Sequence, residues 1–555
     1  GLREGVVAVG WGDRRVGLVL FCGAVWRQWR VTETQTPQIV CLGVDSSIKD
    51  LHRVTRTNLE AKSNGHLVTD FFAGCSDELT KMIDCLEPTF WESDSEERDQ
   101  RATGFALECA LEIIANTGCE PNRVTLFIGG PSTVGPGPIV PLKLSTITRR
   151  QIDLETSKDY KLRADASRGY FHGLTSKANK SKTVIDCFAY SLVEYGLYEM
   201  SSLLEKTGGL LYCNEEFTQE HFRSSINSYL SNSSMLIDGR VELYLSPNLK
   251  VSGCIGNCNS LREKAKWVSS TSIYEGETYK WYVGGLDSQT TLLFFIDLVE
   301  GATSKSVNLA SATVHDGVIQ FVADTYQNGV EVRRVVNFSL SYSKEGTKVC
   351  SIVDQFAVVS TFAKLLANRA MEQDPSVAIR FLDKKLISIL KSLCKTEALP
   401  EQLQLLPQYF YHLRKTYFSK KYTCSLDELA HYRLAVIRET LDNVLIIVKP
   451  LLLRYSLNAE EPEPVQLDIT CFEKDVILLC DTFFNVIVWQ GSSIKAWVDA
   501  GYDKQGGYEH LAKMLAMPEE DVQLIVGDRV MSPDYIKAYE GSPTERFLKA
   551  RLNPE

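Results

Sequence analysis

Eight histidines are spread through the chain, and no two stand as His-x-x-x-His, the spacing that lets one helix face hold a metal ion. Fifteen cysteines are scattered just as widely. None form Cys-x-x-Cys. The nearest pair, Cys254 and Cys258, cannot supply the four ligands of a structural zinc site alone. These thiols read as reduced, half-buried side chains. No Gly-x-Ser-x-Gly elbow and no Gly-x-x-x-x-Gly-Lys-Ser/Thr loop occurs. The stretch from Gly129 to Pro138 imitates a phosphate cradle, but Pro131, Pro136 and Pro138 carry no backbone N–H and no lysine follows at the required place. It reads as a rigid turn at a strand end.

One charge feature stands out. Lys143, Arg149, Arg150, Lys158, Lys161, Arg163, Arg168, Lys177, Lys180 and Lys182 face only Asp153, Glu155, Asp159 and Asp165, a local charge of +6 within a chain of −10. The ordinary reading is a solvated loop and helix face; the alternative is a patch facing anionic lipid or an acidic partner. The acidic balance of the whole argues against a dedicated nucleic-acid binder. At 555 residues, 44% hydrophobic and 23% charged, the chain holds roughly three to five globular domains. No apolar run approaches the ~20 residues that span a bilayer. The most apolar stretch, Val444 to Leu453, is broken by Lys449 and Pro450, so a soluble chain is expected. It begins without Met and without a signal-like segment, and reads as a fragment.

Four textures follow one another. Residues 1–230 alternate strands and helices. Val16–Phe21 and Val25–Val31 flank Cys22-Gly23 as a hairpin. Thr103–Asn116 carries Ala106, Leu107, Ala110, Leu111 and Ile114 at helical spacing, and the apolar run Val124–Ile128 predicts a buried parallel strand, as do Val184–Tyr190 and Gly209–Cys213. The acidic run Glu92–Asp99 predicts a solvent loop. Such an α/β region suits a von Willebrand A-like fold, which often holds a metal through Asp-x-Ser-x-Ser. Asp45-Ser46-Ser47 lacks that spacing, and no metal is expected. Residues 231–345 show short β-prone runs, a sandwich or barrel. Residues 346–448 are helical, with a third helix from Leu426 to Val448. Residues 449–555 return to α+β, with separate helices at Tyr508–Met514 and Glu519–Val526. The fold class expected is therefore α/β, all-β, all-α and α+β in succession.

Several strings in that order resemble the GTPase-activating inner-coat subunits of the COPII vesicle coat, the Sec23 family. Val16-Gly17-Leu18 with Phe21, Phe127-Ile128-Gly129-Gly130-Pro131 with Gly135-Pro136-Gly137, Val184-Ile185-Asp186 and Thr207-Gly208-Gly209 resemble its trunk. Val251 to Cys258 is similar to a segment of its β domain, and Leu406 to Arg414 to a string of its helical domain. Asp481-Thr482-Phe483-Phe484, Trp497 and Ala500-Gly501-Tyr502 resemble its gelsolin-like module, and Arg546-Phe547-Leu548 with Asn553-Pro554 the active loop of that module.

The resemblance implies no independent catalysis but activation of a small GTPase in trans, with Arg546 as the inserted arginine. The loop departs from the family: Gly541 is kept, but Ser542, Pro543, Thr544 and Glu545 precede the arginine, and an acidic Glu545 could weaken its field. The implied partners are the coat's small GTPase, the sister cargo-binding inner-coat subunit, an outer-coat subunit and an acidic membrane surface. The implied place is the cytoplasmic side of endoplasmic-reticulum exit sites and COPII vesicles. The family's four-cysteine zinc module would lie ahead of residue 1, so no cofactor is expected within these residues. The alternative is a cargo-adaptor coat scaffold of the same architecture without activation.

Overall fold

The computed structural model describes residues 5–11, 15–22, 25–31, 37–43, 96–117, 121–215, 219–231, 236–299, 315–327, 330–342, 352–372, 374–393, 400–419 and 424–552. Asp45 to Ser47, residues 92–95 of the acidic run, and Asn553 with Pro554 lie outside them. The chain forms two compact units. The first is Gly1–Phe217, Ser234–Val349 and Lys420–Arg438; the second is Thr218–Ser233, Cys350–Ser419 and Glu439–Glu555.

In the first unit a seven-stranded sheet runs β4-β3-β2-β1-β5-β6-β7. Its strands are β1 (Gly5–Trp11), β2 (Arg15–Cys22), β3 (Val25–Val31), β4 (Pro37–Gly43), β5 (Asn122–Ile128), β6 (Thr183–Tyr190) and β7 (Leu211–Asn214). β5, β6 and β7 are parallel, and β1 joins β5 antiparallel. Cys22 is the last residue of β2 and pairs with Val25, so it belongs to the strand and not to the turn that the sequence suggests. β6 is buried along its whole length, as a parallel strand covered on both faces must be. The helix Thr103–Thr117 sets Ala106, Leu107, Ala110, Leu111 and Ile114 against Val124, Leu126 and Ile128. The described part of the acidic run, Glu96 to Asp99, lies in no helix or strand and is exposed to half-buried, yet it is pinned in place. Arg98 N donates to Leu142 O at 2.7 Å and Leu144 N to Glu96 O at 2.9 Å, so its second half is zipped to the segment after the glycine–proline turn. Backbone pairing of this kind is indifferent to side-chain charge.

The β-sandwich of the same unit holds β8 (Leu236–Leu245), β9 (Leu249–Ile255), β10 (Asn259–Ser260), β11 (Val268–Gly276), β12 (Lys280–Leu286), β13 (Leu293–Leu298), β14 (His315–Gln327) and β15 (Val330–Tyr342). One sheet is β10-β12-β8-β14-β15, the other β11-β9-β13. Trp281, Val241, Leu243, Val251, Cys254 and Cys258 share the core between them, which accounts for the two neighbouring cysteines as packing residues. β11 escapes sequence reading because its middle residues are polar and exposed. It approaches β9 so closely that a Cβ at Gly253 would lie 1.9 Å from Ile273 O, and only glycine fits.

The second unit contains the helices Gln219–Ser231, Gln355–Glu372, Pro375–Leu393, Leu406–Lys415 and Leu441–Val448, followed by a sheet in the order β17-β16-β18-β19-β20. These strands are β16 (Leu451–Ser456), β17 (Glu463–Pro464), β18 (Val476–Asp481), β19 (Asn485–Gln490) and β20 (Asp534–Tyr539). Leu452, Leu478, Cys480, Ile487 and Trp489 belong to one core, and Tyr455, Ile477, Leu479, Val486 and Val488 to another, as alternation along each strand requires.

Two helix expectations are corrected. The single helix from Leu426 to Val448 is two, Leu426–Arg438 and Leu441–Val448. Thr440 takes extended backbone angles and its hydroxyl accepts from Asn443 N, a cap that starts a new helix. Thr440→Ala should cost about 1 kcal/mol of stability, read as a lower urea midpoint; an unchanged midpoint would count against the cap. Conversely, the two helices separated at Pro518 are one, Glu509–Asp528. Proline inside a helix costs about 3 kcal/mol. Here Leu511, Met514, Pro518 and Val522 form one buried stripe that carries the helix across it.

Candidate functional site

The loop after β20 is shaped by its turn chemistry. Gly541 has φ +82°, a left-handed conformation that glycine adopts without strain. Ser542 is buried. Its N–H donates to Tyr539 O at 2.9 Å and its Oγ accepts from Tyr539 N at 3.1 Å. Thr544 Oγ1 donates to Lys537 O at 3.0 Å, closing the loop back onto its own strand. The short helix Glu545–Lys549 follows.

Helical spacing then sorts its side chains. Glu545 and Leu548 point inward, and Leu548 is completely buried with Trp489 and Leu552. Arg546 and Phe547 point outward. The Arg546 guanidinium carbon lies 5.0 Å from the centroid of the Phe547 ring, which is 41% exposed. Among the described residues no carboxylate comes within 4.0 Å of Arg546.

The neighbouring Glu545 does not oppose it. Its carboxylate accepts from Trp489 Nε1 at 3.3 Å, from Gly541 N at 3.3 Å and from Lys549 Nζ at 2.8 Å. A carboxylate turned inward and paired with an ammonium projects little negative field outward. The concern that its sequence position raises is met by its direction. What the arrangement can do chemically is present an outward, permanently charged planar donor to an anion on a docked molecule.

A second arginine of the same unit, at the end of the helix Glu509–Asp528, shows the contrast. Arg529 is buried, pairs with Asp481, donates Nη1–H to Phe483 O at 2.9 Å and lies over the Phe483 ring. Asp481 Oδ1 in turn accepts from Phe483 N at 2.9 Å and helps hold Phe483 at φ +73°. That arginine is spent on the β18–β19 turn and has no reach outward.

The basic segment between Lys143 and Lys182 is not one patch. Arg149 is buried, donating to Glu199 Oε1 at 2.7 Å, to Asp427 Oδ1 at 2.8 Å and to Glu194. Arg150 folds onto Asp153, Lys177 onto Glu108 and Lys182 towards Asp238. Lys143, Lys158, Lys161, Arg168 and Lys180 are exposed, and Arg163 is half-buried. The composite charge overstated the surface charge because the sequence cannot distinguish a lysine in solvent from an arginine inside an ion network.

Three carboxylates around one guanidinium leave that network short of positive charge. Burial, reinforced by Asp427 and Glu199 and only partly offset by Arg149, pushes the Glu194 carboxyl up to about 7. Its folded value stands above its unfolded one, so the folded state holds an extra proton between them. The associated stability is present at low pH and is lost as pH rises towards 7. Thermal unfolding of the first unit should therefore show a midpoint that falls between about pH 5 and pH 7. The slope should flatten in Glu194→Gln; an equally steep slope in that variant would contradict the assignment.

Sequence reasoning quoted Phe547 only within the string Arg546-Phe547-Leu548 and gave it no role of its own. It also quoted Leu406 to Arg414 only as a string, although Leu406, Phe410 and Leu413 at i, i+4 and i+7 mark it as a helix.

Three family models match in chain order: the Sec23/Sec24 trunk domain over residues 59–233, the Sec23/Sec24 beta-sandwich domain over 236–343 and the Sec23/Sec24 helical domain over 354–446. Protein transport protein SEC23 F of Arabidopsis thaliana is 30% identical over 499 residues, covering 86% of this chain and 63% of that protein. The chain thus spans less than two thirds of that relative's length. The crystal structure of the human COPII-coat protein Sec24c superimposes with a TM-score of 0.73 at 15% identity, covering 97% of this chain and 68% of that one, a likeness of fold. With trunk, sandwich and helical domains matched in order over this architecture, the chain belongs to the Sec23/Sec24 family.

Proposed function

We propose that this chain is an inner-coat subunit of the COPII vesicle coat that accelerates GTP hydrolysis by the coat's small GTPase, with Arg546 supplied in trans. The observation that carries the reading is the outward Arg546, with no carboxylate within 4.0 Å among the described residues and set on a short helix behind a hydrogen-bonded turn, in a chain of this family. A small GTPase is slow because charge spreading over the transferred phosphoryl group lacks a cation beside it; an arginine from a partner is worth about 10³–10⁵ in rate. The exposed Phe547 beside it gives the contact an apolar anchor, since aromatic and arginine side chains dominate interface energies.

On this reading the subunit performs no chemistry alone. The nucleotide, its magnesium and the attacking water belong to the GTPase. The further partners are a sister cargo-binding subunit, an outer-coat subunit and the acidic membrane at endoplasmic-reticulum exit sites. The test is a GTP-turnover assay of the purified coat GTPase with and without this protein. Acceleration is the expected result. Cargo-peptide binding with no acceleration would replace the reading with that of a cargo adaptor.

A further inference from the structure

The helix Leu406–Lys415 buries Leu406, Phe410 and Leu413 and turns a second face outward. On that face stand Tyr411, 47% exposed, with His412 and Lys415 half-buried. The Tyr411 and His412 ring centroids lie 5.5 Å apart, and Lys449, the C-cap of the helix Leu441–Val448, reaches the same helix at Gln408, one turn before His412. Lys415 Nζ donates to Tyr411 OH and lies 4.1 Å from the Tyr411 ring centroid. Lys449 Nζ lies 5.6 Å from the Tyr409 ring centroid and donates to Gln408 Oε1 at 3.4 Å.

Among the described residues, neither Lys415 nor Lys449 has a carboxylate within 4.0 Å, whereas Arg414 of the same helix lies 3.4 Å from Asp383. Burial, with the charges of Lys449 and Lys415 adding to it, pushes the His412 imidazole down to about 4. Burial also lowers the Lys449 ammonium. The helix dipole accounts for basic residues in the last turn of Leu406–Lys415. It does not account for Lys449, which arrives from another helix. Aromatic faces hold the two ammonium groups in place but do not neutralise them.

We propose that Lys415, Lys449 and His412 form a binding site for a phosphorylated side chain of a partner protein. A phosphomonoester carries close to two negative charges and three strong acceptor oxygens, matching two lysines and an imidazole donor. A carboxylate would neutralise only one of them. A membrane surface suits the site less well. Lipid-binding segments present four to eight exposed Lys or Arg together, while here two half-buried lysines each lie against one tyrosine ring. The site is independent of Arg546 and of the GTPase reading.

The test uses a fluorescein-labelled peptide Ala-Gly-phosphoserine-Gly-Ala, its unphosphorylated twin, and phosphatidylserine-containing vesicles, each titrated with the whole chain. The phosphopeptide should bind at least ~10-fold more tightly than its twin, as loss of a charge-assisted hydrogen-bond set implies. Inorganic phosphate should displace it. Lys449→Gln should weaken binding ~10-fold or more while Arg414→Gln leaves it unchanged. Lys415→Gln repeats the test with a variant whose folding is checked by circular dichroism. Equal binding of the two peptides, equal losses in Lys449→Gln and Arg414→Gln, or binding confined to the vesicles would each overturn the site.

Discussion

Replacing Asp427 with alanine should destabilise the unit that contains it by about 3–5 kcal/mol, the usual cost of removing one partner from a buried ion network. Asp427 Oδ1 accepts from Arg149 Nη2 at 2.8 Å and from Tyr198 N at 3.2 Å. Oδ2 accepts from Tyr195 N at 2.8 Å and Gly196 N at 2.7 Å. One carboxylate therefore satisfies three N–H groups at the start of the helix Leu197–Thr207 and also faces the Arg149 guanidinium. Alanine leaves those donors buried without acceptors, and an orphaned buried donor costs about 1–3 kcal/mol by itself. Asp427→Asn keeps an acceptor but not the charge, and should fall between. Urea midpoints of the three proteins measure this. A midpoint for Asp427→Ala within error of the wild type would contradict the role given to the carboxylate.

The same network shows why part of the fold was legible and part was not. Val124 to Ile128 declares itself as a buried parallel strand because Val124, Leu126, Phe127 and Ile128, with only Thr125 among them, leave no charged face, and β5 is that strand. The helix Thr103–Thr117 is as clear, from its spacing. Arg149 is different. Its charge is visible in the sequence, but its burial depends on Asp427, 278 residues away, and nothing local announces that meeting. Pro518 and Thr440 misled in opposite directions for one reason: local breaker rules yield to tertiary packing. A continuous buried stripe carried the chain through the proline, and an extended Thr440 cap stopped a helix that composition would have continued. At the candidate site, residue type and resemblance singled out Arg546. That Glu545 turns inward to Trp489 and Lys549 while Arg546 faces solvent is a matter of helical phase after a turn set by Gly541 and Ser542, and spacing alone did not fix that phase.

Removing the guanidinium should have the largest functional effect of any single change. If Arg546 supplies the missing charge, Arg546→Ala forfeits a factor of about 10³ or more in stimulated hydrolysis. Arg546→Lys should recover only a small part, because an ammonium is a point charge without the planar fork that meets two phosphate oxygens. Glu545→Gln separates field from structure. It keeps a hydrogen-bonding group near Trp489 Nε1 and Gly541 N but loses the charge paired with Lys549, so activation should change only a few-fold while stability falls modestly.

The most direct measurement follows single-turnover GTP hydrolysis by the coat GTPase at rising concentrations of wild-type chain and of Arg546→Ala. The expected result is a maximal rate in the variant reduced about 10³-fold, towards that of the GTPase alone, with a half-saturating concentration within about threefold of the wild type. A variant that reaches the wild-type maximal rate would show that the catalytic charge comes from elsewhere.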